Sequence, residues 1–167
     1  MLGVVEESLD EGFNKGDLVC SLMGGLGRNY NGSYEEYALL PVNRLFHVNS
    51  KLDIEHLAAI PETFFTAWGS LFECLQLKST DVLLVRAATS ALGYASMQIA
   101  KALGCRVYGT THKKEKMHLI TDLGCEAVLD TGYKLPDGFY ANKILELIGP
   151  KTLRDSLGHL YRGGIVC

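Results

Sequence analysis

The spacing of apolar residues changes character near residue 53. Before that point, short apolar runs between glycine turns predict strands at residues 3–5, 18–20 and 33–40, the last closed by Pro41. Strands that follow one another without an intervening helix are typical of an antiparallel sheet or a barrel. Residues 1–52 hold too few such runs to close a barrel alone, so we expect a part of one.

A helical pattern follows this β-rich segment. Residues 53–68 place Ile54 and Leu57 on one apolar side, and residues 70–77 continue the helical character. A proline inside a helix removes a hydrogen bond and clashes with the preceding turn. Pro61 therefore predicts a division into two short helices.

Strands and helices alternate from Asp81 onward. The continuous apolar run Val82–Val85 is expected for a strand buried on both faces. Further strands are predicted at residues 106–110, 127–129, 143–148 and 163–166, and helices at 92–103, 114–123 and 152–160. This alternation is typical of a parallel sheet with helices on both faces. We therefore predict an α/β chain with a Rossmann-type doubly wound parallel sheet over residues 53–167.

The predicted last strand runs into the final residue of the sequence, and the first predicted strand begins almost at Met1. A strand in such a position usually has more chain beyond it. We therefore expect an internal fragment of a longer enzyme, or a natural truncation.

Composition narrows the class of protein. The formal net charge is −3, and the pI of about 5.9 argues against nucleic-acid binding. The sequence has no run of about 20 apolar residues that could span a membrane. It also lacks the basic residues near Met1 that a secretory signal would carry. The five cysteines are scattered without a CxxC or CxxH pair, which predicts reduced thiols in a cytoplasmic protein and no structural zinc site.

The segment between the strand at 82–85 and the next helix is the first candidate site. In a doubly wound sheet, backbone N–H groups at the start of this helix approach the pyrophosphate of a dinucleotide. The usual GxGxxG fingerprint is reduced here to Gly93, but Thr89 and Ser90 add hydroxyl groups that can donate to phosphate. The turn alone is equally compatible with a plain strand-to-helix connection.

The end of the second parallel strand bears on the choice of cofactor. NAD enzymes usually place a carboxylate there, which accepts hydrogen bonds from the ribose 2′-hydroxyl. Here the strand ends at Thr111 without a carboxylate, and His112, Lys113 and Lys116 follow. Cations in this position suit the 2′-phosphate of NADP, whereas the competing interpretation is a solvated basic helix start. The absence of a carboxylate makes the pattern favour NADP.

Six segments, taken in order, carry a family resemblance. They are residues 16–19 (GDLV), 32–37 (GSYEEY), 66–68 (TAW), 87–93 (AATSALG), 98–104 (QIAKALG) and 154–157 (RDSL). With them the chain resembles the medium-chain dehydrogenase/reductase superfamily, in particular its quinone oxidoreductase-like branch. The family pattern at the phosphate turn is AxxGxxG, in which Ala87 and Gly93 match and Ser90 replaces the middle glycine.

The resemblance implies a partial GroES-like catalytic domain over residues 1–52 and a Rossmann NADP-binding domain, incomplete at its C-terminus, over 53–167. It implies hydride transfer from NADPH to a small-molecule quinone or an activated C=C bond (an enone), and a homodimer for the full-length parent. The catalytic proton donor stays unassigned. The implied cofactor-binding residues are Thr66 beside the nicotinamide, Ser90, Ala91, Leu92 and Gly93 at the pyrophosphate, Thr111, His112, Lys113 and Lys116 around the adenosine phosphate, and Leu147, Ile148 and Gly149 beneath the nicotinamide ribose.

Zinc-dependent members of the superfamily carry a four-cysteine lobe between the GD turn and the GxxxEY segment, where this chain has only Cys20. Their third catalytic zinc ligand would fall near Glu62, so the resemblance favours zinc-independent transfer. Tyr30, in a loop that faces the substrate in relatives, is either a donor to a substrate carbonyl or an exposed loop residue. Two alternatives stay open: a nucleotide-binding or structural remnant without turnover, and a zinc-dependent alcohol dehydrogenase.

Overall fold

The computed structural model describes all 167 residues, which form two compact units, Met1–Glu62 and Thr63–Cys167. We call these the first unit and the second unit. The division falls within helix α1 (Ile54–Trp68). The assignment of residues 1–52 and 53–167 to separate domains stays a prediction.

The first unit contains a small antiparallel sheet. Its strands β1 (Leu2–Val4), β2 (Leu18–Cys20) and β3 (Phe46–His47) lie in the order β1-β2-β3. A single 3-10 turn at Val42–Arg44 precedes β3. The sheet fits the β-rich character that the sequence predicts for this part of the chain.

The prediction of a strand at residues 33–40 is wrong. This segment is irregular, and the side chains of Tyr34 and Leu39 are almost fully exposed, at 107% and 92%. Strand-forming residues become a strand only when a neighbouring backbone accepts and donates the ladder hydrogen bonds, and no strand of the described chain pairs with this segment. The short strand β3, which pairs Phe46 with Cys20, was not predicted.

Helix α1 runs through Pro61 without a break, so the predicted division into two helices is also wrong. A proline removes one backbone hydrogen bond from the helix. The remaining bonds on both sides of Pro61 keep the fifteen-residue helix continuous. A wider π-helical segment, Gly69–Cys74, follows directly and buries Leu71.

The second unit contains a five-stranded parallel sheet. Its strands lie in the order β6-β5-β4-β7-β8 and are β4 (Val82–Val85), β5 (Arg106–Thr111), β6 (Glu126–Leu129), β7 (Ala141–Leu145) and β8 (Leu160–Val166). The order runs outward in both directions from β4, which is the topology of a Rossmann-type doubly wound sheet. The predicted fold class is confirmed.

Three helices connect these strands: α2 (Ala91–Leu103), α3 (His118–Thr121) and α4 (Leu153–Gly158). Gly104 ends α2 in the left-handed conformation, with φ of 93°, as predicted. The helix predicted at 114–123 is shorter, because a 3-10 turn at Lys114–Lys116 comes before α3. None of the helices combines the length and the apolarity that a membrane crossing requires.

The residues of β4 show how the sheet is buried on both faces. Leu83 and Val85 belong to one core cluster, with Met97 of α2 and Ile120 of α3, while Leu84 belongs to a second cluster on the other face. The side chains of all three β4 residues are inaccessible to solvent. Burial on both faces explains why the sequence of β4 is apolar without alternation.

Candidate functional site

A cleft of about 400 Å³ opens beyond the carboxyl ends of the central strands of the second unit. This edge of a doubly wound sheet is where such folds bind their ligands. The lining residues come from the ends of β4, β5 and β6, from the start of α2 and from the loop after β7: Ala87, Thr89, Ser90, Thr110, Thr111, His112, Asp130, Tyr133 and Ile148.

The turn from β4 into α2 forms one wall of the cleft. Ser90 is the N-cap of α2, and its hydroxyl oxygen accepts a hydrogen bond from the Gly93 N–H at 3.1 Å. The N–H groups of Ala91 and Leu92 have no partner within the chain. Free N–H groups in the first turn of a thirteen-residue helix carry the positive end of its dipole, which suits a phosphate.

Ala87 adopts a left-handed conformation in this turn, with φ of 53°. For a residue with a Cβ atom this conformation costs about 1–2 kcal/mol. Such outliers concentrate at ligand-binding segments, where the surrounding structure fixes them. The backbone of Ala87 is held by the hydroxyl of Thr110, which accepts its N–H at 3.2 Å.

Gly93 lies where the start of α2 crosses the β4 turn. A Cβ atom at this position would lie 2.6 Å from the carbonyl oxygen of Ala87 and 2.8 Å from the Cα atom of Ala88. Glycine is therefore required for this close approach of backbone to backbone. The last glycine of the dinucleotide fingerprint has the same packing role in other Rossmann folds.

The end of β5 forms the next part of the wall. Thr110 and Thr111 are buried there, and the Thr111 hydroxyl accepts the Lys113 N–H at 3.2 Å, which fixes the start of the basic segment. His112 and Lys113 are exposed and Lys116 is half-buried. No carboxylate lies within ion-pair distance of the side chains of Lys113 or Lys116, so both cations are available to a ligand.

The cleft brings together five of the predicted cofactor-binding residues: Thr89, Ser90, Thr111, His112 and Ile148. The remaining predicted residues of the second unit lie outside the lining. They are Thr66 in α1, Ala91, Leu92 and Gly93 in the first turn of α2, Lys113 and Lys116 after β5, and Leu147 and Gly149 beside Ile148. Tyr30 belongs to the first unit, where its hydroxyl group donates to the carbonyl of Gly24 at 3.4 Å.

Sequence reasoning missed a buried ionic group beneath the cleft. Arg86 is fully buried, and its guanidinium donates to Asp130 at 2.9 Å, to Asp155 at 2.9 Å and to the carbonyl of Tyr133 at 3.0 Å. Two buried atoms of the group have no partner, the Nε of Arg86 and Oδ1 of Asp130. The available signal was a charged residue directly after a strand, since Arg86 follows the buried β4 and Asp130 follows β6.

The carboxylate of Glu146, directly after β7, accepts four hydrogen bonds. Its Oε1 accepts from the N–H groups of Ile148 (2.9 Å) and Gly149 (3.2 Å) and from the hydroxyl of Thr152 (2.7 Å), and Oε2 accepts from the hydroxyl of Ser156 (2.6 Å). Burial alone would raise the pKa of this carboxyl, but the hydrogen bonds outweigh burial and hold the pKa below its ordinary value. Glu146 thereby fixes the loop that places Ile148 in the cleft.

Replacing this carboxylate should destabilise the fold in a pH-dependent way. Glu146→Gln should lower the free energy of unfolding by about 1–3 kcal/mol at neutral pH, because hydrogen bonds to a charged acceptor are lost. The folded-state pKa is depressed, so the contribution is complete above an unfolded pKa of about 4.3 and is lost as the pH falls through the folded value. Urea unfolding at a series of pH values should show the difference shrinking on acidification.

The exposed Glu73 supplies the control. Glu73→Gln should change the free energy of unfolding by no more than about 0.5 kcal/mol at any pH in the series. If the Glu146→Gln difference stayed constant down to the acid end of the series, the ionised carboxylate would not be the source of the stabilisation.

The chain contains no group of three or more His, Cys, Asp or Glu side chains placed to hold a metal ion. The five cysteines are all free. Zinc independence stays a prediction for the whole protein.

Comparisons with known proteins agree with this geometry. Residues 91–167 match the zinc-binding dehydrogenase family. Human quinone oxidoreductase is 30% identical over 153 residues, which cover 90% of this chain and 44% of the human protein. In sequence, the chain is similar to the medium-chain dehydrogenase/reductase superfamily. The predicted resemblance to this superfamily is thus confirmed.

Solved structures of the superfamily share the fold of this chain. An NAD-dependent alcohol dehydrogenase is 31% identical, with a TM-score of 0.89 over 99% of this chain and 57% of its own length. The quinone oxidoreductase from Thermus thermophilus, whose structures include a complex with NADPH, is 29% identical, with a TM-score of 0.78 over 99% of this chain and 51% of its own. The chain spans about half the length of the curated relatives that it matches.

Proposed function

We propose that this chain contributes the cofactor site of an NADPH-dependent oxidoreductase of this superfamily, which reduces a quinone or an activated C=C bond of an enone by hydride transfer. The observation that carries the cofactor choice is the end of β5. Thr110, Thr111 and His112 stand there without a carboxylate, and the ammonium groups of Lys113 and Lys116 have no acidic partner.

The residues present fit a dinucleotide. Unpaired N–H groups of Ala91 and Leu92 and the hydroxyls of Thr89 and Ser90 would hold the pyrophosphate, and the absent Cβ at Gly93 keeps the turn close to the helix. NADPH, when bound, supplies the hydride. The chain's own contribution is to bind and orient the cofactor.

The basic segment after β5 would distinguish the two nicotinamide cofactors. A 2′-phosphate beside Lys113 and Lys116 gains charge-assisted hydrogen bonds that a 2′-hydroxyl does not, and these favour NADPH over NADH by about 1–3 kcal/mol. His112, which lines the cleft, has a ring N–H group that can donate to the same phosphate.

Substitution of Lys116 tests the proposal. Lys116→Ala should remove most of the preference for NADPH while leaving the affinity for NADH nearly unchanged, because NADH lacks the phosphate that the lysine binds. Lys78→Ala is the matched control. This exposed lysine precedes β4, at the amino ends of the parallel strands, and its loss should leave both affinities unchanged. Isothermal titration calorimetry of the wild-type protein and both variants with each cofactor measures the six affinities.

The substrate class is tested with the full-length protein. NADPH should be consumed only when a simple quinone or enone is added. In a separate assay, a primary alcohol supplied with NADP should not react. Equal loss of both cofactor affinities in Lys116→Ala, or turnover of the alcohol alone, would overturn the proposal.

A further inference from the structure

Two exposed cysteines, Cys74 and Cys167, meet on the surface of the second unit. Cys74 is the last residue of the π-helical segment Gly69–Cys74, and Cys167 directly follows β8. Their thiols are close enough to share a hydrogen bond. Neither residue lines the cleft. The chain therefore carries a pair of adjacent thiols that the proposed function does not use.

The packing of β8 explains why the two thiols meet. Side chains alternate between the two faces of a strand, so Cys167 shares a face of the sheet with Ile165. On that face, Ile165 packs against the core cluster that contains Leu71 and Leu75. Cys74 lies between these two leucines in the sequence and belongs to the same short helical segment as Leu71. The fold thus brings the π-helical segment to the side of the sheet on which Cys167 lies.

Backbone hydrogen bonds hold the chain at both thiols. The Cys167 N–H donates to the carbonyl of Ile144 at 3.0 Å, and the Cys167 carbonyl accepts from the N–H of Glu146 at 2.8 Å. In the π-helical segment, the Leu75 N–H donates to the carbonyl of Ser70 at 3.0 Å and closes the last wide turn. Because both elements are fixed in this way, the nearness of the thiols is a property of the fold and not of one side-chain rotamer.

The surroundings of the two thiols favour redox chemistry over zinc binding. A structural zinc site takes four ligands, and the chain brings no group of three or more His, Cys, Asp or Glu side chains together. Two adjacent thiols that solvent reaches can instead exchange with a small disulfide. The bond that forms between them would join two segments that are far apart in the sequence.

We propose that Cys74 and Cys167 form an oxidisable dithiol, which closes reversibly into a disulfide bond between the π-helical segment and the end of β8. The oxidant is a small disulfide of the oxidised glutathione type. The thiolate of one cysteine attacks it and releases one glutathione, and the thiolate of the other cysteine attacks the mixed disulfide and releases the second. The two protein thiols are oxidised, the small disulfide is reduced to two thiols, and the protein's two thiol protons pass to them.

Mass spectrometry after incubation with oxidised glutathione tests the proposal. The wild-type protein should lose two hydrogen atoms at this pair of residues. A tryptic digest without reductant should contain one cross-linked product, in which peptide 52–78 is joined through Cys74 to the peptide that begins at Gly163. An excess of reduced glutathione should restore both thiols, because the exchange is reversible.

Two variants separate the dithiol from ordinary surface thiols. Cys74→Ser should lose the cross-linked product and retain a glutathione adduct at Cys167, because no second thiol is present to displace the glutathione. Cys20→Ser is the matched control, since this half-buried cysteine lies in β2 of the first unit, and its loss should leave the cross-linked product unchanged.

Urea unfolding shows whether the bond suits the folded chain. The oxidised wild-type protein should unfold at a higher urea concentration than the reduced protein, because the cross-link constrains the unfolded chain. A lower midpoint after oxidation would overturn the proposal, since the bond would then distort the fold. Lasting glutathione adducts on both Cys74 and Cys167 of the wild-type protein, or a bond between two protein molecules, would overturn it as well. None of these measurements requires a bound dinucleotide, so their failure and the failure of the proposed function are distinct.

Discussion

Arg86→Met should lower the free energy of unfolding by about 3–5 kcal/mol, the expected cost of leaving buried carboxylates without their cation. Arg86 is fully buried, and the carboxylates of Asp130 and Asp155, which it contacts, are 3% and 15% exposed. Methionine fills a similar volume but cannot compensate either charge. Chemical denaturation at neutral pH, monitored by circular dichroism, would measure the loss.

A surface arginine shows what the loss of a cation costs when water is available. Arg106 pairs with Glu126, but its side chain is 64% exposed. Arg106→Met should therefore change the free energy of unfolding by no more than about 1 kcal/mol. If Arg86→Met and Arg106→Met were equally mild, the buried ionic group would not stabilise the ends of β4 and β6 as the structure indicates.

Gly93→Ala should both destabilise the second unit and abolish dinucleotide binding. The added Cβ would lie 2.6 Å from the Ala87 carbonyl oxygen, and because the obstructing atoms are backbone, the phosphate turn itself must move. Overpacking of this kind costs about 1–3 kcal/mol. The displaced turn would also move the free N–H groups of α2, which follow the cleft-lining Ser90.

Gly158→Ala isolates the effect of crowding from that of the substitution. Gly158 is the last residue of α4, and a Cβ atom there would meet nothing within 4 Å. This variant should be neutral, or more stable by up to about 1 kcal/mol because alanine has the higher helix propensity. Thermal unfolding and NADPH titration of both variants give the comparison, and wild-type binding by Gly93→Ala would contradict the role assigned to the turn.

Periodicity predicts the second unit well because its elements are dictated locally. The run Val82–Val85 is a buried strand, and α2 begins within one residue of its expected start and ends at Gly104 as expected. The helical spacing of the apolar residues and the glycine at the end of the helix are both visible in the sequence itself. The first unit is less predictable because pairing between distant residues decides its strands, as the wrong strand at 33–40 and the unpredicted β3 show.

The residues of the candidate site also differ in how well the sequence predicts them. Thr89, Ser90, Thr111 and His112 could be predicted, because the ends of parallel strands converge on one edge of the sheet. Asp130 and Tyr133 could not, because their place depends on an ionic group that joins residues 44 and 69 positions apart, Arg86 to Asp130 and Arg86 to Asp155. Only the folded structure shows that these charges meet.

Calorimetric titration of the wild-type protein with NADPH and with NADH decides the cofactor preference. Both should bind in the cleft of the second unit, and NADPH should bind more tightly, by about 1–3 kcal/mol, because hydroxyls and cations, without a carboxylate, stand at the end of β5. Equal affinities, or tighter binding of NADH, would contradict this preference.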